Sequence, residues 1–121
     1  MSFQKLLAFQ KSFALAMSIF ELSKSFPKEE KYSLTNQIRR SSRSVSANIS
    51  EAYRKRLYPK HFISKLSDSD AENSETQTWL LFALKCNYID QNTFDILSSD
   101  NSEVGELINY MINNPEKFGA K

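Results

Sequence analysis

Residues 34–57 read LTNQIRRSSRSVSANISEAYRKRL, and the order of side chains in this stretch decides the fold class. Leu34, Ile38, Val45, Ile49 and Ala52 gather into a single arc when wound at 100° per residue. Ser41 and Asn48 flank that arc, and small side chains there let helix backbones approach closely. Arg39, Arg40, Arg43 and Arg54 fall within roughly a quarter turn of one another, nearly opposite the arc. Lys55 and Arg56 follow at the end. The spacing predicts a helix over 33–57, with one side buried and a basic side facing away.

Outward from this helix, the chain divides at Pro27, near Pro59, near Asp90 and at Pro115. A first helix is predicted over about 3–26. Leu6, Phe9, Phe13, Ala16, Met17 and Phe20 form its stripe, widened by Leu15, Ile19 and Leu22. A helix apolar on two sides suits either a central position or a subunit contact. A third helix is predicted over 59–87, with Pro59 in the first turn, where its missing N–H is not needed. Phe62, Leu66, Leu80 and Leu84 mark one side, which also carries Ser69, Asn73 and Gln77. Asp68, Glu72 and Glu75 project from the opposite side, with Trp79 near them, as expected of interface residues. A fourth helix is predicted over 91–114 behind Asp90 as N-cap. Its seam is Phe94, Leu97, Asn101, Val104, Ile108 and Met111, interrupted by Asn101. Four such helices with short links read as one all-α domain over 1–121, an antiparallel up-down four-helix bundle. Each helix would be about 30–40 Å long.

Composition narrows the classes. With Gly 2 and Pro 3, the chain lacks the turn-formers of an all-β sandwich. One Cys and one His exclude a disulfide framework and leave no ordinary zinc set. No apolar run approaches the roughly 18 residues of a membrane span. Lys5 and Lys11 interrupt the apolar pattern at the start, which argues against a signal peptide. The expectation is a soluble cytoplasmic protein.

The net charge is +2, unevenly spread. Residues 28–60 hold nine basic and three acidic side chains; residues 61–121 hold four basic and ten acidic. Such a chain can hold an anion on its basic part or dock that part on acidic residues of itself or of a second copy.

The six basic residues Arg39, Arg40, Arg43, Arg54, Lys55 and Arg56 are the candidate phosphate contacts, since guanidinium meets phosphate oxygens in bidentate fashion. The competing expectation pairs these arginines with Asp68, Glu72 and Glu75, within the chain or across a subunit interface. Tyr53 and Tyr58 near the basic end are candidates for stacking on a base. Asn48, Asn73 and Gln77 are expected to form a buried polar layer, bonded to one another or to the backbone, fixing helix register. A metal site is not expected, because His61 lacks the Glu three residues before it that a di-iron bundle needs. Cys86 and His61 stand about 37 Å apart on one continuous helix, too far for a nucleophile and its base. There is no G-x-S-x-G and no glycine-rich phosphate loop. No cofactor or small-molecule substrate is implied, and the expectation is a protein without enzymatic activity.

The stretch also carries a family likeness. Gln37-Ile38-Arg39-Arg40, Ser44-Val45 and Ala47-Asn48-Ile49 with Glu51 resemble the signature of the four-helix-bundle family of 23S rRNA intervening-sequence proteins. Phe26-Pro27, the run Asn73 to Gln77, and Tyr88-Ile89 resemble it too, so the likeness covers nearly the whole chain. Ala52 stands where many relatives carry glycine. The resemblance implies an up-down four-helix bundle assembled as a ring of five, a homopentamer. A similar bundle is the accessory protein of diversity-generating retroelements, which binds nucleic acid and a reverse transcriptase. For this chain the resemblance implies RNA or DNA as a partner. Alternatively, the ring is an adaptor for a protein such as a reverse transcriptase or a ribosome-maturation factor, with the arginines as intersubunit salt-bridge residues.

Overall fold

The computed structural model describes residues 2–120. Four long helices, α1 (Leu7–Ser23), α2 (Leu34–Arg54), α3 (Pro59–Lys85) and α4 (Gln91–Asn113), pack antiparallel as a bundle. Single turns of 3-10 helix stand at Phe3–Lys5, Lys28–Glu30 and Pro115–Phe118. Each helix packs on its two neighbours around the bundle, and the backbones of the diagonal pairs α1/α3 and α2/α4 do not approach closely. The α2/α3 pairing is the most extensive.

The links follow from local chemistry. α1 stops at Ser23, short of the expected 26, and Pro27 then holds the chain extended. Ahead of α2, Ser33 Oγ, the Leu34 N–H and the Tyr88 hydroxyl all donate to Glu30, at 2.6, 3.2 and 2.8 Å. A carboxylate there complements the positive helix end. α2 ends at Arg54, three residues before the expected 57, and α3 begins at Pro59. α3 ends two residues earlier than expected, in a left-handed turn at Asn87 (φ 61°). There the Tyr88 N–H reaches Ala83 O and the Asn87 N–H reaches Leu84 O. That is the paired closure that a left-handed Asn or Gly allows. Asp90 caps α4 by accepting from the Thr93 N–H at 2.7 Å, which holds its carboxyl below the usual carboxylate range.

The expected arc of α2 is the buried one: Leu34, Ile38, Val45, Ile49 and Ala52 are all in the core. So are Phe62, Leu66 and Leu80 of α3, and Leu97, Asn101, Val104, Ile108 and Met111 of α4. α1 differs from its expected stripe. Its core side is Ala8, Ser12, Leu15, Ala16, Ile19 and Ser23, while Phe13 and Met17 are about half exposed, at 52% and 47%. The small residues on that side let α1 lie close to α2 and α4, and close approach turns the bulky stripe outward.

The polar layer is real, but its members change. Asn73 Nδ2 donates to the Asn101 carbonyl at 2.9 Å, and Asn101 Nδ2 donates to Asn73 Oδ1 and O at 3.0 Å. Ser41 shares a 2.8 Å hydrogen bond with Thr76, Ser12 shares one of 2.9 Å with Ser46, and Ser69 Oγ donates to Val45 O. Asn48 is not part of this layer: it lies partly buried and donates to Ser44 Oγ one turn back on its own helix. Gln77 sits at the edge, its Nε2 donating to Ser98 Oγ at 2.6 Å while its buried Oε1 has no partner among the described residues. Asn73 pairs with Asn101 across α3/α4 because both face the axis at the same height.

Candidate nucleic-acid interface

α2 is a polar helix except for its buried arc, so its outer side must be covered by side chains that water or a partner satisfies. An open groove of about 610 Å³ runs along that side. Its charged and aromatic lining is Lys31, Tyr32, Arg39, Arg40 and Arg43, with Asn36 among them; the rest of the lining is small. No acidic side chain among the described residues lines it.

α1 holds two of these arginines in place. Arg39 Nε donates to Ser23 Oγ at 2.7 Å, and its guanidinium lies 4.8 Å from the Phe20 ring centroid. The Arg43 guanidinium lies 5.4 Å from the same centroid. Phe20 is therefore shared by two cations, each attracted by the negative face of the ring. Of the five N–H donors of Arg39, one has a partner among the described residues, and the others remain for an outside acceptor.

Arg40 is engaged differently. Its Nη1 donates to both carboxylate oxygens of Glu72, at 3.4 and 3.1 Å, its Nη2 donates to Glu75, and its Nε donates to Gln37 Oε1 at 3.2 Å. Pairing within the chain, one of the two expectations for the arginines, thus describes Arg40 with Glu72 and Glu75. Among the described residues, Arg39, Arg43, Arg54, Lys55 and Arg56 have no ion pair.

The remaining basic residues lie elsewhere. Arg54 lines a separate hollow at the far end of α2 with Tyr53, Arg56 and Leu57. Lys55 is exposed just past the helix end. Arg56 is committed to the fold. Its guanidinium lies 3.6 Å from the Tyr53 ring centroid, its Nε donates to Tyr53 O at 2.8 Å, and its Nη1 reaches Phe118 O at 3.5 Å. Gly119 takes φ 89° against this guanidinium, so the tail and Arg56 brace each other.

Neither tyrosine expected to stack is near the groove. Tyr53 is buried beneath Arg56, and Tyr58 stands edge-on to His61 at the start of α3. The aromatic residue at the groove is Tyr32, 83% exposed, with Lys31 Nζ 5.3 Å from its ring centroid. Sequence reading passed over it because it precedes the helix. The available signal was its place beside Lys31, in the link just ahead of the basic helix.

On the α3 side, Trp79 is half-buried, donates through Nε1 to Glu75 Oε2 at 3.1 Å, and packs on Phe82, which is 53% exposed. Trp79 and Phe82 line a second, more apolar groove with Tyr32, Leu34 and Cys86, which Glu30 and Gln37 border. Asp68 is exposed one turn before Glu72. His61 and Cys86 lie at opposite ends of the continuous α3. Among the described residues, no group of His, Cys, Asp and Glu side chains is arranged to hold a metal ion. No described helix is long and apolar enough to cross a membrane.

The family model described as 23S rRNA-intervening sequence protein matches residues 4–110. The chain belongs to this family. A solved structure similar to it is a protein of unknown function from the S23 ribosomal protein family of Bacteroides thetaiotaomicron VPI-5482. The two are 30% identical, with a TM-score of 0.80, over 88% of this chain and 96% of that one. No curated protein matches. Membership accounts for the bundle and for the Gln37–Glu51 block.

Proposed function

We propose that this member of the 23S rRNA-intervening sequence protein family is a non-enzymatic, cytoplasmic nucleic-acid-binding protein that holds phosphates in the α2 groove. One observation carries the reading: Arg39, Arg43 and Lys31 share a groove that no acidic side chain lines, and none of the three has an ion pair among the described residues. Fixed guanidinium groups with unused donors suit phosphate oxygens. Contacts of this kind position a strand without reading its sequence. Arg40 contributes positive potential while bonded to α3.

The same proposal includes assembly as a ring-shaped homo-oligomer, with five copies as the family resemblance implies. Support comes from exposed apolar side chains on two edges of the bundle. Phe13 and Met17 of α1 lie on one edge, and Leu81 and Phe82 of α3 on the other. α1 and α3 are diagonal in the bundle. A contact between two different patches repeats head to tail and closes into a ring when its rotation allows. Identical grooves would then repeat around the ring and add their fields. The apolar groove beside Trp79 favours one second reading, in which the assembly is an adaptor that docks a protein partner there.

The deciding variant is Arg39→Ala with Arg43→Ala. Under the phosphate reading it abolishes RNA binding and leaves the oligomer intact. If it dissociates the oligomer instead, these arginines are interface residues and the adaptor reading replaces the first.

A further inference from the structure

From the placement of Tyr32 we infer that the groove takes a single strand of nucleic acid, with an unpaired base stacked on Tyr32 and the following phosphates on Arg39 and Arg43. This rests on the phosphate reading and narrows its ligand to a single-stranded one.

Register comes first. Asn36, Arg39, Arg43 and Ala47 follow one another at steps of three, four and four, one stripe of α2, and Tyr32 stands in the turn just ahead of the helix. All five line the same groove. From Asn36 to Ala47 the stripe runs roughly 16 Å along the α2 axis. A strand laid along it meets an aromatic ring at one end, two guanidinium groups in the middle and a small residue at the other end.

Exposure is the second point. An aromatic side chain left 83% exposed gains almost nothing for the fold, and Tyr32 is absent from the hydrophobic core and from the side chains packed against it. Phe26 of the same link and Tyr88 of the α3–α4 link are by contrast packed on each other with ring centroids 5.6 Å apart. Lys31 Nζ lies over one face of the Tyr32 ring, and the other face is available for a planar partner.

Chemistry is the third. A base in a duplex already has neighbours on both faces, so an aromatic side chain can stack only on a base that is unpaired or at an end. Asn36 adds an amide between Tyr32 and Arg39 that can bond either a base edge or a phosphate. Single-stranded RNA and single-stranded DNA share this chemistry.

The test uses the full chain with three fluorescein-labelled probes: a 12-nucleotide oligo(U) RNA, a 12-nucleotide oligo(dT) DNA and a 12-base-pair blunt RNA duplex. Fluorescence anisotropy is read at low salt for the unaltered protein, Tyr32→Ala and Tyr32→Phe, with oligomer mass followed by light scattering. The inference expects both single strands to bind more tightly than the duplex. It expects Tyr32→Ala to weaken single-strand binding between about 5-fold and about 100-fold, and Tyr32→Phe to retain it. A 2′-hydroxyl contact would show as oligo(U) binding tighter than oligo(dT); equal affinities mean that stacking and phosphates suffice. Equal binding of strand and duplex, or no change in Tyr32→Ala, overturns the inference and leaves the phosphate reading standing. Loss of the oligomer in Tyr32→Ala also overturns it, by making Tyr32 an interface residue. Absence of binding to all three probes overturns the phosphate reading itself.

Discussion

Arg40 of α2 donates through Nη1 to both carboxylate oxygens of Glu72 on α3, at 3.4 and 3.1 Å. Arg39, one residue before it, and Arg43, three residues after it, bracket it and rest against Phe20 of α1. Three arginines within five residues therefore divide between two neighbours, one clamping α3 and two held by α1 with donors to spare. The division separates a structural effect from a binding effect among adjacent side chains.

Arg40→Ala removes the contacts to Glu72 and Glu75. Those side chains are partly exposed, at 44%, 24% and 34% for Arg40, Glu72 and Glu75. Partial exposure keeps the loss at about 1 kcal/mol, the upper end for surface pairs, because two carboxylates share one guanidinium. Denaturant unfolding should register that loss, while RNA affinity falls less than in the Arg39→Ala, Arg43→Ala variant. A larger binding defect in Arg40→Ala would reverse the assignment of roles.

Asn73 and Asn101 satisfy each other inside an otherwise apolar seam. Asn101→Ala keeps the backbone carbonyl that Asn73 Nδ2 donates to but removes the donor to the buried Asn73 Oδ1, and costs about 1–3 kcal/mol. Replacing both by Leu, a side chain of similar size, should recover most of that loss, since no polar group is then stranded. Urea midpoints for the single and double variants provide the comparison. If both variants lose the same amount, the pair is not coupled.

How much of this was legible in the sequence depends on the distance over which each feature is decided. The α2 arc and the α4 seam were readable because their burial follows from local period alone. Asn101 was visible as an interruption, yet its partner was not, because which residue of α3 meets it is fixed by the relative height of two helices. Asn48 looked equally suited to the layer and instead turned along its own helix to Ser44. In α1 the largest side chains suggested the buried stripe, whereas the small Ala8 and Ser12 mark the side that lies closest to its neighbours. The basic face was legible as a set; its division was not, since Phe20 and Glu72 come from other helices.

The Tyr88–Glu30 bond gives the fold a response to alkaline pH. The hydrogen bond to Glu30 pushes the Tyr88 hydroxyl up to about 12, with burial and the carboxylate charge acting in the same direction. The folded state therefore holds this proton more tightly than the unfolded chain. The stabilisation is complete below the ordinary tyrosine value near 10 and is lost as pH rises from there through about 12. Bonds from Ser33, Tyr88 and the Leu34 N–H lower Glu30 from the usual carboxylate value. Its contribution is present above that usual value and is lost as pH falls through the lowered one. Tyr88→Phe should flatten the decline in denaturant midpoint above pH 10. An unchanged alkaline slope would mean that the bond does not persist in solution.

Self-association should depend on the outward stripe of α1. Phe13→Asp combined with Met17→Ser touches no fully buried position, so the bundle should keep its helicity while light scattering reports a smaller particle. An unchanged mass would move the contact to another face.

The central claim is that free guanidinium groups in the α2 groove hold phosphates. Its most direct test is the affinity of nuclease-treated protein for labelled single-stranded RNA across a salt series. Three contacts, from Lys31, Arg39 and Arg43, predict a log–log slope of about −2 per chain at roughly 0.7 per contact, and the Arg39→Ala, Arg43→Ala variant should lose most of it. No binding at low salt, or binding indifferent to salt, would contradict the account.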